Sequence, residues 1–262
     1  MYKPIVSQQS CARAWLAAAS NVLASNSESY NVVIDVANPV GFDAVDNKII
    51  CLIDAFLRAH DKQPIQSVAN TIFPQSLYQR HGHPAFIDEY LQDFDRFHHK
   101  SRNWGRYFER MCRERTGKDG ALYRPISRLI EKLSKQTGSP QPFKAAYELA
   151  TYDADLDSNP FRGRPCLSFL SFKRHPADGL LLTAIYRNHT YITRCLGNLI
   201  GLGRLMAFVA KESQLKVGSL TVISTHAEID KDKWGIVKAR KLISEAQNYL
   251  DKPSELQNLW SI

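Results

Sequence analysis

The chain has 262 residues, 44% apolar and 23% charged, with 34 lysines and arginines against 26 acidic residues for a net charge of +8. These proportions exclude a disordered chain, a collagen-like chain and a disulfide miniprotein, and leave one large domain or two small ones. The surplus charge suits an anionic partner such as a nucleotide or a nucleic acid, or serves solubility alone.

Helical spacing of Trp15, Leu16, Ala19, Val22 and Leu23 predicts a first helix over about Ser7–Leu23. The β-branched run Tyr30–Ala37 predicts a strand stopped by Asn38-Pro39. Helices are predicted over Asp46–His60 and Pro84–Lys100, a short strand over about Trp104–Met111, and a helix through Ile126–Leu133 that stops at Gly138-Ser139-Pro140. Phe143–Tyr152 reads as a strand. Cys166–Phe172 and Leu180–Tyr186 read as a hairpin turned by Asp178-Gly179, since Asp-Gly between apolar runs is a strong turn signal. A long helix over Leu196–Glu212, a strand from Val217 through Ser224 and a charged helix over about Asp232–Leu250 complete the chain. Helices come first, then strands and helices mix, so the expected class is α+β, with one domain over residues 1–262 and no internal repeat.

The cysteines Cys11, Cys51, Cys112, Cys166 and Cys195 are odd in number and form no Cys-x-x-Cys pair. That argues against a zinc ribbon or a disulfide framework and for reduced thiols in a cytoplasmic protein. No run of 18 apolar residues occurs, so no membrane span is expected, and the Ala14–Ala19 patch is too short for a secretory core. No phosphate-binding glycine loop, nucleophile elbow or helical His-x-x-x-His is present. Gly201-Leu202-Gly203 reads as part of an amphipathic helix. His98-His99 and His81-x-His83 read as solvated histidines, with no metal site.

The informative stretch is Pro165 to Asp230, about a quarter of the chain. Pro165-Cys166 opens a strand, a hairpin follows, and the return strand ends Tyr186-Arg187-Asn188. Asn198 lies eleven residues past Arg187 at the start of a long helix, and a later strand carries His226. This order and spacing resembles the thymidylate synthase family. Asn103-Trp104-Gly105-Arg106 and Ala150-Thr151-Tyr152-Asp153 are weaker echoes of the same pattern. The resemblance implies a mixed sheet packed with helices, and a thiol that adds to carbon 6 of a pyrimidine nucleotide so that carbon 5 accepts a methyl or hydroxymethyl unit. Cys166 would be the nucleophile. Arg187 would contact thiolate and phosphate through its planar fork, with Asn188 as a further phosphate donor. Asn198 would hold the uracil O4/N3–H edge, because its amide both donates and accepts. His226 would bind a sugar hydroxyl, with Glu228 beside it. Asp54 is the candidate proton relay and Tyr107 the candidate acceptor of the carbon-5 proton. Methylenetetrahydrofolate is the implied donor, and a homodimer with sheets back to back the implied assembly.

Departures from the family pattern are specific. Ala145 and Ala146 stand where an arginine pair from the neighbouring subunit is expected, with Lys144 alongside. Asn188 replaces a serine, Thr190 an aspartate, Leu167 a histidine and Glu228 a tyrosine. Leu52 stands at the relay glutamate and Trp104 at the expected tyrosine. Only 36 residues follow His226, with no clear counterpart of the segment that closes over the folate. These changes suit a divergent member with a different substrate or electrophile. Two other readings compete: a non-catalytic nucleotide-binding protein on the same scaffold, and a nucleic-acid-binding or nucleic-acid-modifying protein. The latter would use the Arg102, Arg106, Arg110, Arg113 and Arg115 series, which Glu109 and Glu114 interrupt.

Overall fold

A computed structural model describes residues 2–97, 105–139, 141, 143–158, 163–232 and 234–251. In chain order the elements are Lys3–Pro4 (β1), Cys11–Ala24 (α1), Glu28–Val36 (β2), Ala44–Ala59 (α2), Ile65–Ile72 (α3), Gln75–His81 (α4) and Ala85–Phe97 (α5). Then come Tyr107–Cys112 (α6), the pair Arg115–Thr116 (β3) and Leu122–Tyr123 (β4), Pro125–Gln136 (α7), Glu148–Ala150 (β5) and Ala154–Asp157 (α8). Leu167–His175 (β6), Gly179–Tyr186 (β7) and His189–Thr190 (β8) lead to a π-helical turn at Tyr191–Cys195, followed by Leu196–Glu212 (α9), Val217–Glu228 (β9) and Gly235–Asp251 (α10).

The main sheet has seven strands in the order β1-β2-β9-β7-β6-β5, with β8 beside β9. It is mixed: β6 and β7 form the antiparallel hairpin, while β7 and β9 run parallel across α9. Strict alternation in β7 and β9 buries Leu180, Leu182, Ala184, Tyr186, Leu220 and Val222 on one face. That face packs against α1 and α9, whose Trp15, Leu16, Leu199, Leu202 and Met206 are fully buried. The protein is thus an α+β fold, a mixed sheet packed against helices. By length and composition Tyr191–Glu212 is apolar enough to cross a membrane, yet most of it is buried here as the central helix.

Close approach of α9 to α3 depends on two glycines. A Cβ at Gly197 would lie 2.6 Å from Val68 Cβ, and one at Gly201 2.8 Å from the Ala69 carbonyl oxygen. With only hydrogen there, α3 lies directly on α9 and its residues Val68 and Thr71 reach the neighbourhood of Asn198.

Three expectations change. Tyr107–Cys112 is helix rather than strand: Phe108, Met111 and Cys112 are buried together on one face of it, which a strand could not achieve. The strand expected over Phe143–Tyr152 is confined to Glu148–Ala150. The first helix starts at Cys11 rather than Ser7, because the Ser10 side chain caps it by accepting from the Arg13 N–H. His98, His99, Arg102, Asn103 and Trp104 lie outside the described residues.

Candidate active site

Cys166 sits one residue before β6. Pairing of β6 with β7 slips between Leu167↔Tyr186 and Phe169↔Ile185, leaving Ser168 as a bulge. The Ser168 carbonyl accepts from the Thr151 and Tyr152 N–H groups at 3.0 and 3.2 Å. A bulge turns a strand end out of register, and Cys166 is left half-buried on a cavity of about 190 Å³. Tyr107 of α6 lines the same cavity, and its hydroxyl accepts from the Cys166 and Leu167 N–H groups at 3.1 and 3.3 Å. The helix α6 is held by Arg110, which is buried in a bidentate ion pair with Asp157 and donates to the Thr151 carbonyl at 2.8 Å. A buried cation needs such full pairing.

A further wall comes from the turn before β8, β8 itself, the π-turn and α9: Asn188, His189, Arg194 and Asn198. Asn198 Nδ2 lies 3.1 Å from His189 Nε2, and His189 Nδ1 lies 2.9 Å from Ser224 Oγ. The ring of His189 stacks on Tyr186 at 4.1 Å between centroids. Burial pushes His189 down to about 3, so its ring is neutral at neutral pH. A neutral ring that accepts from the Asn198 amide at Nε2 donates its Nδ1–H to Ser224. That arrangement fixes which way the Asn198 amide faces. Asp230 orients the π-turn by accepting from the Ile192 N–H at 2.8 Å and the Thr193 N–H, and so holds Arg194 at the cavity.

Electrostatics at Cys166 are opposed. Burial raises the thiol above its ordinary value, Arg187 and Arg194 pull it down, and Glu228 pushes it up; the net direction is upward. The resting group is therefore the thiol. Tyr107 is pushed up to about 12 by burial and then by Cys166, so its hydroxyl keeps its proton.

The other sequence-predicted site residues lie outside the cavity wall. Arg187 is exposed: its Nε donates to the Pro165 carbonyl at 2.9 Å and its backbone N–H to the Cys166 carbonyl at 2.9 Å, which ties down the turn before Cys166. His226 lies between Asn188 Oδ1, 2.6 Å from Nδ1, and the Glu28 carboxylate, 2.9 Å from Nε2. Asn188 Nδ2 donates to Glu228 at 3.3 Å, so Asn188, His226 and Glu228 form one linked group at the rim. Asp54 accepts from the Ile65 N–H and from Arg58, both at 2.8 Å; it caps α3 rather than facing Cys166. The structure thus brings together Cys166, Tyr107, Asn188 and Asn198. Sequence reasoning missed His189, Arg164 and Arg194. Arg194 left a signal: it is a charge in an apolar stretch, four residues before Asn198.

Among the described residues no group of three or more His, Cys, Asp or Glu side chains could hold a metal ion. The cavity walls offer an aromatic ring at Tyr107 and apolar surface at Val68 beside the guanidinium groups of Arg106, Arg164 and Arg194, so both a flat heterocycle and an anionic group find matching chemistry there.

No family model matches the chain. A protein of Methanococcoides burtonii named "Putative thymidylate synthase" is 29% identical over 122 residues, 47% of this chain and 52% of that protein. The chain therefore matches about half the length of this relative. The similarity supports a relationship of thymidylate synthase type at that level.

Proposed function

We propose that the chain is a thymidylate synthase-like transferase that attaches a one-carbon unit, methyl or hydroxymethyl, to carbon 5 of a uracil-type pyrimidine nucleotide. One observation carries the reading: Cys166, Tyr107 and Asn198 come from three distant parts of the chain and line one small cavity. In this scheme the Cys166 thiol gives up its proton to solvent and the resulting thiolate Sγ bonds to carbon 6. The electron pair of the 5,6 double bond moves onto carbon 5 and O4, and an N–H of the Asn198 amide donates a hydrogen bond to the charge that develops on O4. Carbon 5 becomes the site of one-carbon attachment. Loss of the carbon-5 proton and departure of Sγ restore the ring. Tyr107, held at the Cys166 backbone, is the group to relay that proton. Arg187 and Arg194 offset the burial that disfavours the thiolate. Methylenetetrahydrofolate would supply the one-carbon unit by resemblance. A cytoplasmic setting with reduced thiols and no membrane association belongs to the same reading.

A homodimer belongs to it as well. On the sheet face opposite the core, Val33, Ile223, Ile185 and Phe169 are register neighbours across β2, β9, β7 and β6, and all are half-exposed. Such an apolar row supports pairing with the same face of a second copy.

A non-catalytic nucleotide-binding role is the second reading, favoured by the upward shift of Cys166 and by the bonds that Asn188, His226 and Glu228 make to one another. Replacing Cys166 with Ser separates the two. The transferase reading expects turnover to vanish while titration calorimetry with uridine and cytidine nucleotides still registers binding. Unchanged turnover in Cys166→Ser would sink it, and an adduct on Cys166 by mass spectrometry would exclude the binding-only role.

A further inference from the structure

We propose that the cleft between α4 and the last turns of α9 is a second ligand site, which takes a free α-amino acid with its ammonium on Glu212 and its carboxylate on Lys211. The cleft lies roughly 20 Å along α9 from Asn198, so it is separate from the Cys166 cavity and does not rest on the one-carbon reading. Its volume is about 470 Å³, within the roughly 300–1,000 Å³ of small-molecule sites. Tyr78 of α4, His83 of the turn beyond it, and Phe208, Lys211 and Glu212 of α9 are among the residues that line it.

Two opposite charges line this cleft without meeting. Lys211 and Glu212 are consecutive in α9, and consecutive helical side chains do not face each other. Glu212 Oε1 accepts from the Tyr78 hydroxyl at 2.6 Å, which fixes the carboxylate. Its Oε2 lies 3.7 Å from His83 Nδ1, beyond hydrogen-bond reach. Burial lowers His83 despite the opposing Glu212 charge, so the ring is neutral at neutral pH and leaves that oxygen uncompensated. Lys211 Nζ lies 5.5 Å from the centre of the Tyr78 ring and makes no ion pair among the described residues. His83 Nε2 is buried without a hydrogen-bond partner among the described residues, so the residues of the cleft hold polar capacity that the fold leaves unmet.

The two charges select the ligand. A carboxylate held in place with one oxygen open suits an ammonium group, and a lysine without an acidic partner suits a carboxylate. A ligand of single charge would satisfy one of them and be repelled by the other, whereas a zwitterion satisfies both. The Tyr78 and Phe208 rings supply apolar surface for the side chain of such a ligand. Phe208 is itself fixed by stacking on Phe73 at 5.0 Å between centroids, so this surface is formed before any ligand binds.

Ligand-observed NMR titration of the full chain with each of the common amino acids tests this. At least one is expected to bind with millimolar affinity or tighter. Two blocked forms of that amino acid are then compared with it: the amide, which lacks the carboxylate, and the N-acetyl form, which lacks the ammonium. Each is expected to bind about ten-fold more weakly, the weight of one charge-assisted hydrogen bond. Glu212→Gln and Lys211→Met place the binding in this cleft. Glu212→Gln is expected to weaken the amino acid and its amide about ten-fold and to leave the N-acetyl form unchanged. Lys211→Met is expected to weaken the amino acid and the N-acetyl form and to leave the amide unchanged. Circular dichroism confirms that each variant folds, and the glutamine oxygen can still accept from Tyr78. No binding by any amino acid, equal binding of the zwitterion and both blocked forms, or undiminished binding in both folded variants would overturn the site.

Discussion

At the scale of single residues, His189 governs the cavity wall that carries Asn198. It is buried, stacked on Tyr186 and bonded to both Asn198 and Ser224. Its folded-state value of about 3 lies below the ordinary 6.5. The unfolded chain therefore takes up a proton that the folded one refuses. The stabilisation is complete above the unfolded value and is lost as pH falls from about 6.5 towards 3. Between pH 7 and pH 5 the loss through this one group is about 2 kcal/mol. Urea unfolding at both pH values, on wild type and His189→Gln, checks it: the variant should lose less stability on acidification. Identical pH dependence would mean that His189 is not held neutral. Asn198 was legible in the sequence because its spacing from Arg187 carries the resemblance. His189 was not, because a single histidine between two polar residues has no periodic signature and its partners Ser224 and Asn198 are far away or on another element.

At the scale of elements, the cavity depends on how α6, α3 and α9 are anchored. The Arg110–Asp157 pair ties α6 to α8, and through Arg110 to the Thr151 carbonyl beside the bulge. Removing one partner of a buried pair leaves the other charge uncompensated, at a cost of about 3–5 kcal/mol. Asp157→Ala should show that loss in chemical denaturation, and should also loosen Tyr107 from the Cys166 backbone. A loss below about 1 kcal/mol would show that the pair is effectively solvated. Strongly periodic elements were readable: α9 runs over Leu196–Glu212 and the β6–β7 hairpin turns at Asp178-Gly179, both as the pattern implies. Helix α6 was misread because its aromatic, six-residue span resembles a strand, and its helical state is decided by packing of Phe108 and Met111. Short α3 and α4 follow prolines and lack enough turns for a period to emerge. Likewise, Asp54 looked like a relay because only its chain position was visible; the α3 amide that it caps was not.

At the scale of the whole molecule, the sheet has two different faces. One is covered by α1 and α9 and holds the core. The other carries the half-exposed row Val33, Ile223, Ile185 and Phe169. The proposed homodimer predicts that the wild type sediments as a dimer and that Ile185→Lys sediments as a folded monomer; a monomeric wild type would contradict it. The net charge of +8 also gains structure at this scale. Arg110 is spent on Asp157, Arg187 on the turn before Cys166, and Arg106, Arg164 and Arg194 border the cavity, so part of the surplus faces inward. The central claim is that Cys166 adds reversibly to carbon 6 of a uracil-type nucleotide. Such addition makes the carbon-5 hydrogen exchangeable without any one-carbon donor, because the carbanion-like carbon takes a solvent deuteron before Sγ leaves. The most direct test is NMR of uridine and deoxyuridine monophosphates incubated with the protein in D2O. The predicted result is loss of the carbon-5 proton signal with wild type and none with Cys166→Ser. No exchange by wild type at saturating nucleotide, or equal exchange in Cys166→Ser, would contradict the claim.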